Sequence, residues 1–280
     1  MPDHHLCYAY IAATNFNCMN LDLTGKTAVV CGSTQGLGFA CASELALLGA
    51  SVVLMARNEA KLKEALQQLH NGKGQTHSFL VADFNDSDNV KRAIGNFISD
   101  GNTAQILVNN TGGPAGGAVM DAQTDQFKAA FESHLICNHI LATALIPGMK
   151  DARYGRIVNI ISTSVKQPLK GLGVSNTIRA AVANWSKTLA NEVGRFGITV
   201  NNVLPGLTKT VRADYIIQNK AAASGNQEET IINEMLAEIP LGRMGRPDEF
   251  GATVAFLCSP AAAYISGINL PVDGGRLGCL

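Results

Sequence analysis

Residues 27–58 constrain the chain most. They read TAVVCGSTQGLGFACASELALLGASVVLMARN. TAVVC is a short apolar run rich in β-formers. Gly32, Gly36 and Gly38 follow at once. Leu37, Cys41, Leu45 and Leu48 then recur at three- and four-residue spacing, the period of a helix face. Gly49 ends that pattern, and SVVLMA is a second apolar strand. Strand, glycine turn, helix and strand make a βαβ unit. The glycines let the backbone turn tightly and approach an anion closely. The helix start adds free N–H groups and the positive end of its dipole. The pattern therefore points to a nucleotide diphosphate site rather than a plain turn.

The same alternation runs to the end of the chain. Residues 59–69 form an amphipathic helical pattern, and THSFLVAD reads as a strand ending at Asp83. Ser87 is placed to cap a helix running to about Ser99. ILVNN is a strand, followed by the glycine-rich loop TGGPAGGAV. Residues 124–149 read as one long helix, GRIVNIIS as a strand, and residues 174–196 as an Ala-rich helix. ITVNNVLPG is a strand ending at Pro205 and Gly206. Residues 207–239 look polar and irregularly helical, Pro247 starts a helix, and INLPVDGG closes the chain. The strands are apolar throughout, as parallel strands covered on both faces must be. The expected fold is α/β: a single-domain, Rossmann-type, doubly wound sheet of seven parallel strands ordered 3-2-1-4-5-6-7. Its ligand belongs at the carboxyl ends of the strands, at the switch between strands 1 and 4.

Composition narrows the classes. The 280 residues carry a formal net charge of +0 and no basic run, which argues against nucleic acid. No apolar run approaches the ~18 residues of a membrane span. The seven cysteines form no CxxC pair, and no Cys/His cluster has metal-ligand spacing. Scattered thiols, two of them inside expected core elements, fit a cytoplasmic protein with reduced cysteines. Residues 1–20 match no downstream pattern and read as a flexible lead without a signal-peptide profile.

The quoted pieces GSTQGLG, the Asn109-Asn110 pair, IVNIIS, PGLTKT and PVDGG, in this order and spacing, resemble the short-chain dehydrogenase/reductase family from about Leu21 to Gly275. The likeness is nearest to 3-oxoacyl-carrier-protein-reductase-like members. It implies a dinucleotide cofactor and hydride transfer between a carbonyl and an alcohol. By this resemblance Gly32, Ser33, Gln35, Gly36, Leu37 and Gly38 wrap the diphosphate and adenosine ribose. Asp83 and Phe84 match the adenine-contacting pair, and Asn109 a position along the cofactor. Pro205, Gly206, Leu207 and Thr210 match the segment that holds the nicotinamide amide and a nearby phosphate. An NAD user carries an acidic residue at the end of strand 2. This chain has Met55-Ala56-Arg57-Asn58 there, and Arg57 suits the 2′-phosphate of NADP rather than NAD.

The resemblance breaks at the catalytic set, which in the family is Asn, Ser, Tyr and Lys. The serine matches Ser162. The tyrosine position, thirteen residues on, holds Ser175. The lysine position, one helical turn further, holds Arg179, and the asparagine position holds His134. An aliphatic hydroxyl is a far weaker acid than a phenol, whose ordinary pKa is about 10. A guanidinium binds ribose or phosphate oxygens, so Arg179 is also expected to hold the cofactor at its nicotinamide ribose, but it does not relay protons. His134 either supplies a proton through water or is a helix histidine bonded to backbone. Lys166 and Lys170 either meet an anionic substrate or are surface lysines. Tyr154 lies at the wrong end of its strand to substitute.

Two function classes follow. One is an oxidoreductase acting on a small carbonyl or alcohol through Ser162, Ser175, Arg179 and His134. The other is a catalytically silent NADP-binding homologue acting as sensor or partner subunit. The resemblance also implies a homo-oligomer, a tetramer, paired through the helices after strands 4 and 5. Ala142, Ala144, Ala180, Ala181, Ala183 and Ala190 keep those helices slim.

Overall fold

Seven parallel strands form one sheet in the order β3-β2-β1-β4-β5-β6-β7, as the alternating pattern requires. The computed structural model describes residues 19–279, so almost all of the expected N-terminal lead lies outside the described residues. The strands are β1 (Thr27–Cys31), β2 (Ser51–Ala56), β3 (Ser78–Val81), β4 (Ile106–Asn109), β5 (Gly155–Ile160), β6 (Ile198–Pro205) and β7 (Asn269–Val272). Successive residues of a strand face opposite sides, and each side is covered. Ala28 and Val30 of β1 pack with α1 (Gly36–Leu47), α2 (Glu59–Leu66) and α8 (Pro247–Cys258). Val29 and Cys31 pack with α3 (Ser87–Ser99), α4 (Thr124–Asp151) and α5 (Gly173–Val193). Burial on both faces is why the strands read as continuous apolar runs.

A row of asparagines crosses the second half of the sheet in register. Asn109, Asn159, Asn202 and Asn269 pair across β4, β5, β6 and β7. Each amide donates to the next: Asn109 to Asn159 at 2.8 Å, Asn159 to Asn202 at 3.0 Å, Asn202 to Asn269 at 2.8 Å. A buried amide without partners costs about 1–3 kcal/mol. The ladder pairs these side chains with one another, leaving only Asn109 Oδ1 without a partner among their amide oxygens, and locks the register of the strand ends that carry the site.

Several boundaries differ from the sequence reading for local reasons. Asp86 rather than Ser87 caps α3, its carboxylate accepting from the Asn89 N–H at 3.0 Å. The long helix α4 is interrupted at Glu132–Ile136 by a π turn. By length and composition α4 could cross a membrane, but half of its most apolar window is buried within the domain. Residues 207–239 are regular rather than irregular. They hold α6 (Val211–Ser224) and α7 (Glu228–Ala237), which enclose a small core of Ile217, Ala221 and Ile231. Thr210 caps α6 by accepting from the Ala213 N–H, and Gly225 ends it at φ +72°. That apolar seam is short and sits among polar residues, which is why the segment looked irregular.

Candidate active site

Parallel strands bring their carboxyl ends to one edge, and the order around β1 opens a crevice there between β1 and β4. On its near side, Gly32 and Gly36 adopt φ of +57° and +60°, which L side chains rarely take. A Cβ on Gly32 would lie 2.7 Å from the Asn110 carbonyl oxygen. A Cβ on Gly38 would collide with the Gly32 carbonyl. Asn110 clamps the turn from β4, its amide donating to the Cys31 and Gly32 carbonyls at 3.2 and 3.1 Å. Gln35 precedes α1 without a side-chain cap, so the first-turn N–H groups of that helix are left for a ligand. Leu37 lies in that turn, half-buried.

Ser33 is placed differently from the other loop residues. Its side chain is fully buried, and its oxygen accepts from the Met55 N–H at 3.0 Å. The hydroxyl thus ties the glycine turn to β2. Arg57 follows the end of β2, exposed, and has no ion pair among the described residues. Asp83 lies just past β3, its carboxylate accepting from the Asn85 N–H and amide, both at 3.0 Å. Phe84, half-buried, takes a hydrogen bond from the Cys137 thiol on its carbonyl.

Asn109 is 2 % exposed and its amide belongs to the asparagine ladder, yet its Oδ1 has no partner. On the far side, Pro205 ends β6 and Gly206 donates to the Val272 carbonyl at 2.9 Å. Leu207 accepts from the Gly245 N–H at 3.0 Å, and the Thr210 methyl approaches Gly36. The segment before α6 therefore folds over the glycine turn.

Ser162, just past β5, accepts from the Ser164 N–H at 3.1 Å and caps a single 3₁₀ turn. That bond uses a lone pair and leaves the hydroxyl proton free to donate. Ser175 lies in the first turn of α5, half-buried, with no side-chain hydrogen bond among the described residues. Arg179 is one turn further and only 8 % exposed. Its Nη1 donates to the Ile160 carbonyl at the end of β5, at 2.9 Å. Its Nε is buried without a partner, and no carboxylate pairs with it among the described residues. Burial, then the nearby Arg212 cation, brings the Arg179 pKa down to about 10, which still leaves a cation at neutral pH.

His134 occupies the π turn, a feature frequent at functional sites. It is 2 % exposed, and its Nδ1 shares a hydrogen bond with Thr111 Oγ1. The partner is thus a side chain from the β4 loop rather than backbone. Burial, then the Arg179 cation, pushes the imidazole pKa down to about 2. The ring is neutral at any working pH and cannot donate as an imidazolium. Lys166 is half-buried and Lys170 exposed, and neither makes an ion pair among the described residues. Tyr154 donates to the Cys258 carbonyl at 2.6 Å, at the amino end of β5 and away from the crevice.

The crevice therefore offers oxygen-seeking donors along the strand ends and no ordinary acid. The family model described as Enoyl-(Acyl carrier protein) reductase matches residues 32–276. The chain belongs to the short-chain dehydrogenase/reductase family. The 3-oxoacyl-(acyl-carrier-protein) reductase FabG of Chlamydia trachomatis is 32% identical over 253 residues, which span 90% of this chain and 98% of that protein. Among solved structures, the L-sorbose reductase of Gluconobacter frateurii, complexed with NADPH and L-sorbose, is 32% identical at a TM-score of 0.87. That match covers 94% of this chain and 100% of the reductase. The actinorhodin polyketide ketoreductase with NADPH is 28% identical over 91% of this chain and 98% of its own, with a TM-score of 0.84. As a member of this family the chain is an oxidoreductase by descent, resembling the 3-oxoacyl-carrier-protein reductases.

Sequence reasoning missed three residues here. Asn110 stands in the Asn109-Asn110 pair, where nothing local marks its clamp on the glycine turn. Thr111 and Arg212 lay in loops and a helix start that carry no pattern signal.

Proposed function

We propose that this family member is an NADPH-dependent reductase interconverting a carbonyl and an alcohol with an altered acid/base set. The observation that carries this reading is the Arg179 guanidinium, buried at the end of β5 with an unpaired Nε and no carboxylate. A buried cation in that state needs ligand oxygens. The glycine turn and uncapped α1 fit a diphosphate, and Arg57 fits a 2′-phosphate. Gln35, Gly36, Leu37, Asp83, Phe84, Asn109 and the 205–210 segment line the rest of the cofactor path. When bound, NADPH supplies the hydride that reaches the carbonyl carbon. Ser162 donates its free hydroxyl proton as a hydrogen bond to the carbonyl oxygen. Ser175 offers a second hydroxyl, and the Arg179 Nη2, which makes no hydrogen bond among the described residues, steadies cofactor or alkoxide oxygen. The proton that completes the alcohol comes from water, since His134 is neutral and Arg179 holds its protons.

The test is NADPH oxidation against a panel of ketones, with cofactor titrations beside it. Arg57→Ala is expected to weaken NADPH binding by about 1.5–3 kcal/mol, the worth of a charge-assisted contact, and to leave NADH nearly unchanged. Equal affinity of the wild type for both cofactors would reject the assignment. NADPH binding without oxidation of any panel member would favour the silent homologue instead.

The same reading includes self-association through α4 and α5. Their solvent faces carry small residues: Ala180 is exposed, and Ala144 and Ala181 are half-buried. Helices so lined approach closely. A homotetramer, or a dimer as its half, is the expected species. Light scattering at micromolar concentration decides, and a monomer there rejects it.

A further inference from the structure

A second arginine approaches Arg179 beside the β4 loop. Arg212 lies in the first turn of α6, where a cation opposes the helix dipole, so its place does nothing for the helix. Its Nη2 donates to the Pro114 carbonyl at 3.2 Å, and its guanidinium lies 5.5 Å from the centre of the Tyr215 ring. Those contacts hold it beside the β4 loop. Gly113 of that loop marks the meeting point. A Cβ built there would sit 3.8 Å from Arg212 Nη2 and 3.9 Å from Arg179 Nη2. Neither arginine has a carboxylate partner among the described residues. The two guanidiniums thus approach one point beside Gly113, Arg212 exposed and Arg179 8 % exposed with an Nη2 that makes no hydrogen bond among the described residues. Like charges held together repel, and a buried one is costly without a counter-ion.

We infer that Arg179 and Arg212 form a subsite for an anionic group of the substrate, a carboxylate or phosphoryl set beside the reacting carbonyl. This rests on the reductase reading above for the placement of the carbonyl. The forked N–H groups of two arginines match the paired oxygens of such a group. The substrate is a better source than the cofactor. The cofactor's diphosphate belongs between the glycine turn and the 205–210 segment, and its 2′-phosphate at Arg57 beyond β2. The Gly113 loop leads the other way. It runs to Gly117, which donates to the Gly171 carbonyl at 2.7 Å, just before α5 and Ser175.

The experiment is equilibrium titration of the NADP⁺-saturated protein with charged and neutral probe pairs. The pairs are acetoacetate against methyl acetoacetate, and dihydroxyacetone phosphate against dihydroxyacetone. Wild type is expected to prefer a charged member by about tenfold or more, and Arg212→Gln to erase that preference with NADPH affinity unchanged. Gly113→Asp supplies an internal carboxylate to both guanidiniums. It is expected to raise Tm and suppress binding of the charged probes, while the uncharged Gly113→Asn controls for bulk. The proposal is overturned by a wild type that ignores probe charge. It is equally overturned if Arg212→Gln weakens NADPH in place of the probes, for the anion is then the cofactor's. Failure of the reductase reading shows separately, as absent NADPH binding and oxidation. In that event the same probe titrations on the free protein still decide the arginine pair.

Discussion

Ser175→Tyr combined with Arg179→Lys is expected to raise NADPH-dependent reduction of simple ketones by about 10²–10⁴-fold, the usual worth of a positioned general acid. On the proposed reading the wild-type site holds a carbonyl but presents no group that both binds the oxygen and releases a proton near neutrality. Ser175 has an aliphatic hydroxyl, Arg179 does not relay protons, and the His134 pKa lies near 2. A phenol at position 175 brings an ordinary pKa of about 10, and an ammonium one turn away draws it closer to working pH. The lysine matters as well as the tyrosine, because the guanidinium is pinned by Nη1 to the Ile160 carbonyl. Ser175 makes no side-chain hydrogen bond among the described residues, so its loss orphans nothing. The cost is bulk: a ring in a half-buried position destabilises by about 1–3 kcal/mol where neighbours cannot give. Tm therefore accompanies the rate measurement. Ser162→Ala in the wild type is the control and should lower turnover with NADPH affinity intact. Turnover that survives it would place the chemistry elsewhere and defeat this site.

The sheet was legible because its information is local. Each strand is a short apolar run, each crossover helix has a visible period, and the glycines at 32, 36 and 38 punctuate where the backbone must turn. The candidate positions Ser162, Ser175 and Arg179 were taken from the family resemblance, and the structure sets Ser162 just past β5 and the other two one helical turn apart on α5. What the sequence hid is non-local or depends on a single hydrogen bond. Ser33 reads as a loop hydroxyl for a ligand, and nothing local shows that its oxygen also accepts from the Met55 N–H of β2. The π turn that carries His134 adds one residue to a helical turn without any breaker residue to announce it. Arg212 is an ordinary charge on a polar helix until α6 folds back to the β4 loop. The Arg179 and Arg212 approach joins two segments far apart in the chain, and no periodicity encodes it.

Acid should destabilise this protein through His134, and His134→Asn should remove that component. In the fold, burial and then the Arg179 cation lower the imidazole pKa from 6.5 to about 2. The unfolded chain protonates His134 as pH falls through about 6.5, while the folded chain stays neutral. Below that point the unfolded state binds more protons, so stability falls as pH falls. The contribution is fully present above pH 6.5 and is lost progressively on the way down to about 2. Each pH unit inside that window costs about 1.4 kcal/mol. Asparagine can keep a hydrogen bond to Thr111 Oγ1 and does not titrate, so the variant loses the slope but not the contact. Carboxylates elsewhere titrate alike in both proteins and cancel in the difference. Urea unfolding at pH 7, 6 and 5 measures it. The variant's stability relative to wild type should climb by about 1.4 kcal/mol for each unit below 6.5. Parallel curves would mean that the folded imidazole does take a proton in this range. It would then be available as an acid in the crevice, and water would no longer be the required source of the proton.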